Sequence, residues 1–137
     1  MRKQRWMMVT AVALVLAVGV ACDDDAAFGP EATAGTMIVS LATPNLDDGA
    51  VMFTVSGGEI DSPALLDVDH VLYFVEGTNS ITAIIVGDIE AGELLEFDVP
   101  DIEVTYTATI TQVADRLNDL RELLTGYSMA VDLEVVE

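Results

Sequence analysis

Residues 103–113, Glu103-Val104-Thr105-Tyr106-Thr107-Ala108-Thr109-Ile110-Thr111-Gln112-Val113, repeat with a period of two. Val104, Tyr106, Ala108 and Ile110 fall on one side of an extended chain, and Thr105, Thr107, Thr109 and Thr111 on the other. An apolar row backed by a β-branched polar row is the pattern of a half-buried strand. Just upstream, residues 93–99 alternate in the same way, with Leu95, Phe97 and Val99 inward, Glu96 and Asp98 outward, and Pro100 as the stop. Further back, residues 50–56 place Val51, Phe53 and Val55 on one face and Met52, Thr54 and Ser56 on the other.

The rest of the chain extends this pattern. Residues 36–42 begin the strands, and Pro44–Gly49 reads as a turn whose Asn, Asp and Gly tolerate left-handed dihedrals. Gly57-Gly58 and Ser62-Pro63 punctuate the next segment. Residues 70–76 and 80–87 read as a hairpin around Gly77-Thr78-Asn79, apolar on both faces, and so either central or covered on one flank by a partner. Val113, Leu117, Leu120 and Leu124 recur at helical spacing, with Asp115 as a cap and Gly126 as a stop, which predicts one short helical turn over 115–124. A closing strand over 127–136 points Met129, Val131, Leu133 and Val135 inward. Seven to eight short strands separated by turn signals predict an all-β fold, a single antiparallel β-sandwich of immunoglobulin-like or jelly-roll type.

Ahead of this domain stands a different composition. Arg2, Lys3 and Arg5 precede the uncharged apolar run 6–21, the form of an export signal. Gly19 and Ala21, just before the chain's only cysteine, resemble the lipobox of bacterial lipoproteins. That resemblance implies a signal peptide over 1–21 and acylation of Cys22 as the new N-terminus. It also implies an extracytoplasmic, lipid-anchored place in the cell envelope, with membrane lipid as a partner through the acylated Cys22. The alternative is an uncleaved anchor, although the run is shorter than the roughly 20 residues that span a bilayer comfortably. Residues 22–35 hold the cysteine and an acidic tether rich in Asp, Ala, Gly and Thr. As a flexible coil the tether spans about 20 Å. The sandwich then occupies 36–137.

Of the 137 residues, cleavage after 21 leaves 116, enough for one domain with a core. Only Arg116 and Arg121 then remain basic against 24 acids, a charge near −22. Such a surface repels nucleic acid and anionic lipid. It leaves three explanations open: solubility in salt, calcium, or a basic partner. With the sole cysteine reserved for lipid, no disulfide closes within the chain.

Calcium takes six to eight oxygens, and the acids able to supply them cluster in turns. The candidates are Asp47 and Asp48, then Asp67 and Asp69, then Asp115, Asn118 and Asp119, none with EF-hand spacing. No other cofactor is expected. Zinc is poorly served by one histidine and a lipidated cysteine. His70 has acidic neighbours, but no serine lies in a nucleophile-elbow sequence, so it reads as a strand-start residue. Carboxylates are so numerous that a glycosidase-like pair at workable separation arises by chance. The chain is therefore expected not to be an enzyme. Thr105, Thr107, Thr109 and Thr111 form a row of methyls and hydroxyls that could dock a partner strand or a sugar chain, against the plain reading of strand propensity.

Two runs, 86–100 and 106–115, are similar to a module of uncharacterised secreted bacterial proteins, and more distantly to cohesin and carbohydrate-binding sandwiches. The similarity covers about residues 36–136. It implies a binding or structural role with an envelope protein or polysaccharide, and carries over no catalytic residue. The alternatives are a subunit of a larger envelope assembly, which would expose an apolar patch on strands 70–87, and a small carboxylate-dependent hydrolase.

Overall fold

The computed structural model describes residues 29–136. The signal run, Cys22 and the tether as far as residue 28 lie outside the described residues. Eight strands follow: β1 (Gly35–Ala42), β2 (Asp48–Ser56), β3 (Asp61–Leu65), β4 (Val71–Gly77), β5 (Ser80–Ile89), β6 (Gly92–Val99), β7 (Thr107–Asp115) and β8 (Ser128–Leu133). They form two four-stranded antiparallel sheets, β3-β6-β1-β8 and β4-β5-β2-β7, which pack as a β-sandwich. Every connection crosses from one sheet to the other except the β4–β5 hairpin. Strand alternation therefore buries one row from each of β1, β2, β5 and β6. Val39 and Leu41 meet Val51, Phe53 and Val55, Ile81 and Ile85, Leu95 and Phe97 in one core. Full burial of each large apolar side chain contributes about 1.5–3 kcal/mol. Tyr106 closes one end of the core edge-to-face on Phe97, ring centroids 5.6 Å apart, its hydroxyl donating to the Glu59 carbonyl at 3.0 Å.

The alternations at 50–56 and 93–99 match the buried rows, and the hairpin turns where the glycine and asparagine place it. Four expectations need correction. No helix forms over 115–124: the Asp115 carboxylate accepts from the amides of Leu117 at 2.8 Å and Asp119 at 3.0 Å. Asn118 turns left-handed at φ 68°, and the chain doubles back so that Leu120 bridges Ala114 and the Arg121 amide donates to the Val113 carbonyl. The carboxylate caps this turn as it would the start of a helix, but the left-handed Asn118 and the return to Val113 end it there, and Leu117, Leu120 and Leu123 stay exposed while Leu124 packs partly against the core. Second, only β5 of the apolar hairpin is central, while β4 is an edge strand. Third, Val135 lies past the end of β8 and is exposed, and Leu133 is also exposed. Fourth, the punctuated stretch at Ser62-Pro63 is itself β3, an irregular edge strand paired to β6 with a register shift.

Candidate functional site

The outward side chains of the β4-β5-β2-β7 sheet stand in rows fixed by the strand register. Across the strands these run Val71–Val86–Ala50–Ala114, Tyr73–Ile84–Met52–Gln112, Val75–Thr82–Thr54–Thr109 and Ser80–Ser56–Thr107. None of these is charged, in a chain with 24 acids; past the register shift at the end of β5, Asp88 is exposed and paired with Arg116 at 2.9 Å. The other sheet shows the contrast: its outward rows set Ile38 beside Glu96 and Asp132, and Thr36 beside Asp98, to which the Thr36 hydroxyl donates at 2.9 Å. One face is solvated in the ordinary way. The other exposes Tyr73 at 63%, Val75 at 72%, Val71, Ile84 and Val86. A contiguous apolar patch of this kind on a soluble domain marks a contact surface.

Threonines contribute to this face in a different direction from the expected one. Thr107 and Thr109 are outward on β7, but Thr105 precedes the strand's paired residues. Thr111 falls in the register shift between Gln112 opposite Met52 and Ile110 opposite Phe53, an extra residue that breaks the row. The hydroxyl row instead runs across the sheet through Thr82, Thr54 and Thr109, with Thr54 and Thr82 oxygens 3.0 Å apart. Ile110 and Ala108 point toward the core, as expected from the alternation.

At the β4 border the face dips into an apolar groove of about 640 Å³ lined by Met52, Leu72, Tyr73, Phe74, Val75 and Ile84, with Thr82. Phe74 faces the core side yet remains 42% exposed, because the opposing sheet ends in the short strand β3. Both flanks of β4 are therefore open.

A second cluster, missed in the sequence, lies where the β1–β2 turn meets the segment before β8. Asp48 is fully buried, and its carboxylate accepts from the Thr43 hydroxyl at 2.6 Å, the Tyr127 hydroxyl at 2.8 Å and Arg121 at 2.9 Å. Arg121 also donates to Asp47, and Asn45 donates to the Tyr127 oxygen at 2.6 Å. Hydrogen bonds to Asp47 first and Asp48 second push the Arg121 pKa further up, holding the guanidinium charged. The structure thus gathers Asp47 and Asp48 around an arginine. Asp115 serves the neighbouring turn with Asn118 and Asp119. Among the described residues no group of three or more acidic, histidine or cysteine side chains is arranged to hold a metal ion.

His70 leads into β4, and its Nε2 donates to the Asp88 carbonyl at 2.9 Å, with Asp67 at 3.9 Å. The bond to a carbonyl fixes the proton on Nε2. Nδ1 is buried without a hydrogen-bond partner among the described residues. Gly87, at φ 153°, leaves the room in which the ring lies, since a Cβ there would meet Cδ2.

Arg121 could not be foreseen because its partners lie more than 70 positions away. The charge-free face had a signal: the outward positions of 50–56 and 80–86 lack acids while 93–99 carries them. Compared with known proteins, the chain matches no family model, no curated protein and no solved structure.

Proposed function

We propose that this protein is a non-catalytic binding or structural module, displayed outside the cytoplasm on a lipid anchor at Cys22, and that it acts as a subunit of a cell-envelope assembly. The observation that carries the reading is the uncharged, apolar outer face of the β4-β5-β2-β7 sheet in a chain of 24 acids. Solubility alone would place acids on both faces, since charge on an exposed strand position costs the fold little and suppresses association. Leaving them off one face keeps that face dry enough to be covered. The assembly form is favoured over a free-standing sugar binder because the patch is dominated by aliphatic side chains around the single aromatic Tyr73. Acids on the other surfaces keep the molecule oriented by repulsion from anionic lipid headgroups.

A photo-crosslinking residue placed at Val75 or Thr54 in the cell tests the reading. Adducts are expected from these two positions and not from Asp98 on the opposite sheet. Equal yield from all three, or none at Val75 and Thr54, would discard it. Mass spectrometry of the mature protein tests the anchor: a diacylated N-terminal Cys22 is expected, and an intact Met1 would refute it.

A further inference from the structure

Four strands end the two sheets, and three are guarded against pairing with another chain. β3 is short, carries Asp61 and Pro63, and is broken by a register shift with Ser62 at φ 50°. β7 is shifted in register and covered by the returning segment, through the Leu120 bridge and the Arg121 amide. β8 spans six residues and carries Asp132. Proline, bulges, charge and brevity are the usual devices for blunting an edge. β4 has neither proline nor bulge, and its single acid, Glu76, stands next to its last residue: seven residues, Val-Leu-Tyr-Phe-Val-Glu-Gly, in unbroken register with β5.

We propose that β4 pairs with β4 of a second copy of this chain, antiparallel about a two-fold axis at Phe74, joining two sheets into one of eight strands. The inference rests on reading the charge-free face as a docking surface, and it names the occupant of that face's open border. The register follows from the hairpin. Thr78 and Asn79 form a two-residue loop, so the closing pair Gly77–Ser80 is the hydrogen-bonded kind, and the kinds alternate from there. Val75, Tyr73 and Val71 then spend their backbone groups on β5, while Glu76, Phe74 and Leu72 turn theirs outward. With the axis at Phe74, these three meet their own kind: Phe74 opposite Phe74, and Leu72 opposite Glu76 in both directions. That gives about six new backbone bonds. On the outer face Tyr73 comes beside Val75 of the other copy, apolar against apolar.

Charge selects the second copy over other occupants. A basic partner finds on this side only Asp88, already paired with Arg116 at 2.9 Å, and is drawn to the opposite sheet, where Glu96, Asp98 and Asp132 lie. Two copies meeting through the β3-β6-β1-β8 sheet bring acids against acids. Within β4 each contributes only Glu76, and the axis sets the two Glu76 residues four positions apart, about 13 Å. That exceeds the screening length of about 8 Å at physiological salt. The edge engages fewer than the 20–30 residues per side of a standard interface. The dimer is therefore weak, with a dissociation constant of about 10–100 µM, and it tightens with salt because the remaining acids repel.

Two measurements on the full chain in nonionic detergent test the proposal. In sedimentation equilibrium, wild type should pass from monomer to dimer with rising concentration, and raising sodium chloride from about 20 to about 500 mM should tighten the constant at least tenfold. Val75→Asp sets two new charges about 7 Å apart across the axis, and should remain monomeric while melting cooperatively. In a Cys22→Ser background, Phe74→Cys should oxidise to a disulfide dimer, since the paired Cα atoms stand about 5.5 Å apart. Thr82→Cys, one strand in, should not. A wild type that stays monomeric to about 500 µM, or cross-linking from Thr82→Cys equal to that from Phe74→Cys, overturns edge pairing. If cellular cross-links from Val75 survive that result, the docking surface stands with a different occupant. If they vanish too, both readings fall.

Discussion

Ile84 and Ile85 are consecutive residues of one strand with opposite duties, and alanine at each position separates core from contact surface. Ile85 is fully buried, paired opposite Val51 and Leu72. Truncation there removes about three methyl or methylene groups, at about 0.8 kcal/mol each. The unfilled cavity adds to this, so Ile85→Ala should cost about 2–5 kcal/mol. Ile84 lies on the outer face between Tyr73 and Met52 and is 37% exposed. Its truncation opens no enclosed void and should cost about 1 kcal/mol or less in the monomer. Urea unfolding of both variants at low protein concentration reads the difference, which should appear as a shift in midpoint with an unchanged slope. In thermal melts Ile85→Ala should fall by about 10–25 °C and Ile84→Ala by only a few degrees. If the two variants lose equal stability in a monomeric sample, Ile84 belongs to the fold's own packing and the outer face is not held in reserve for a partner.

Tyr106 has its pKa raised by burial first, then by the nearby charges of Asp101 and Glu59. A raised acid pKa means that the folded state holds the proton more tightly. The stability it contributes is thus complete below about pH 10 and lost as pH rises through the folded value. Denaturation followed above pH 10 should show this loss in wild type and a weaker one in Tyr106→Phe. Asp48→Ala should leave the Thr43 and Tyr127 hydroxyls without their acceptor, at about 1–3 kcal/mol. Hydrogen exchange should then quicken in 116–127 before it quickens in the sheets. Melting temperature should rise with sodium chloride, because counterions relieve repulsion among 24 acids. A further rise in millimolar calcium beyond matched ionic strength would identify a specific site, and its absence would leave the acids to salt alone.

The legible parts of this fold were those where neighbours in sequence carry the information. Val51, Phe53 and Val55, then Leu95, Phe97 and Val99, declare their buried side by alternation, and Gly77 to Asn79 declares the hairpin. What escaped depends on distant partners. β3 takes strand form only because Ala64 and Leu65 find Glu96 and Leu95, and Ser62-Pro63 alone reads as a turn. The leucines of 117–124 match a helical period, but Asn118 turns left-handed and the segment pairs back on Val113 and Ala114, a choice set by the sheet and not by the local spacing. The hairpin's apolar character was plain, whereas the edge position of β4 was not, since which strands become neighbours is decided by β2 and β7. Of the four threonines, Thr107 and Thr109 hold their outward place, a bulge invisible to periodicity displaces Thr111, and Thr105 precedes the strand.

In the working protein the outer face of the β4-β5-β2-β7 sheet is proposed to be covered. Hydroxyl-radical footprinting of Tyr73 and Met52, compared between dilute purified protein and intact cells, measures that directly. Ready oxidation of both residues is expected in the dilute monomer, and strong protection of both in the cell. Equal oxidation of Tyr73 in the two samples would contradict it.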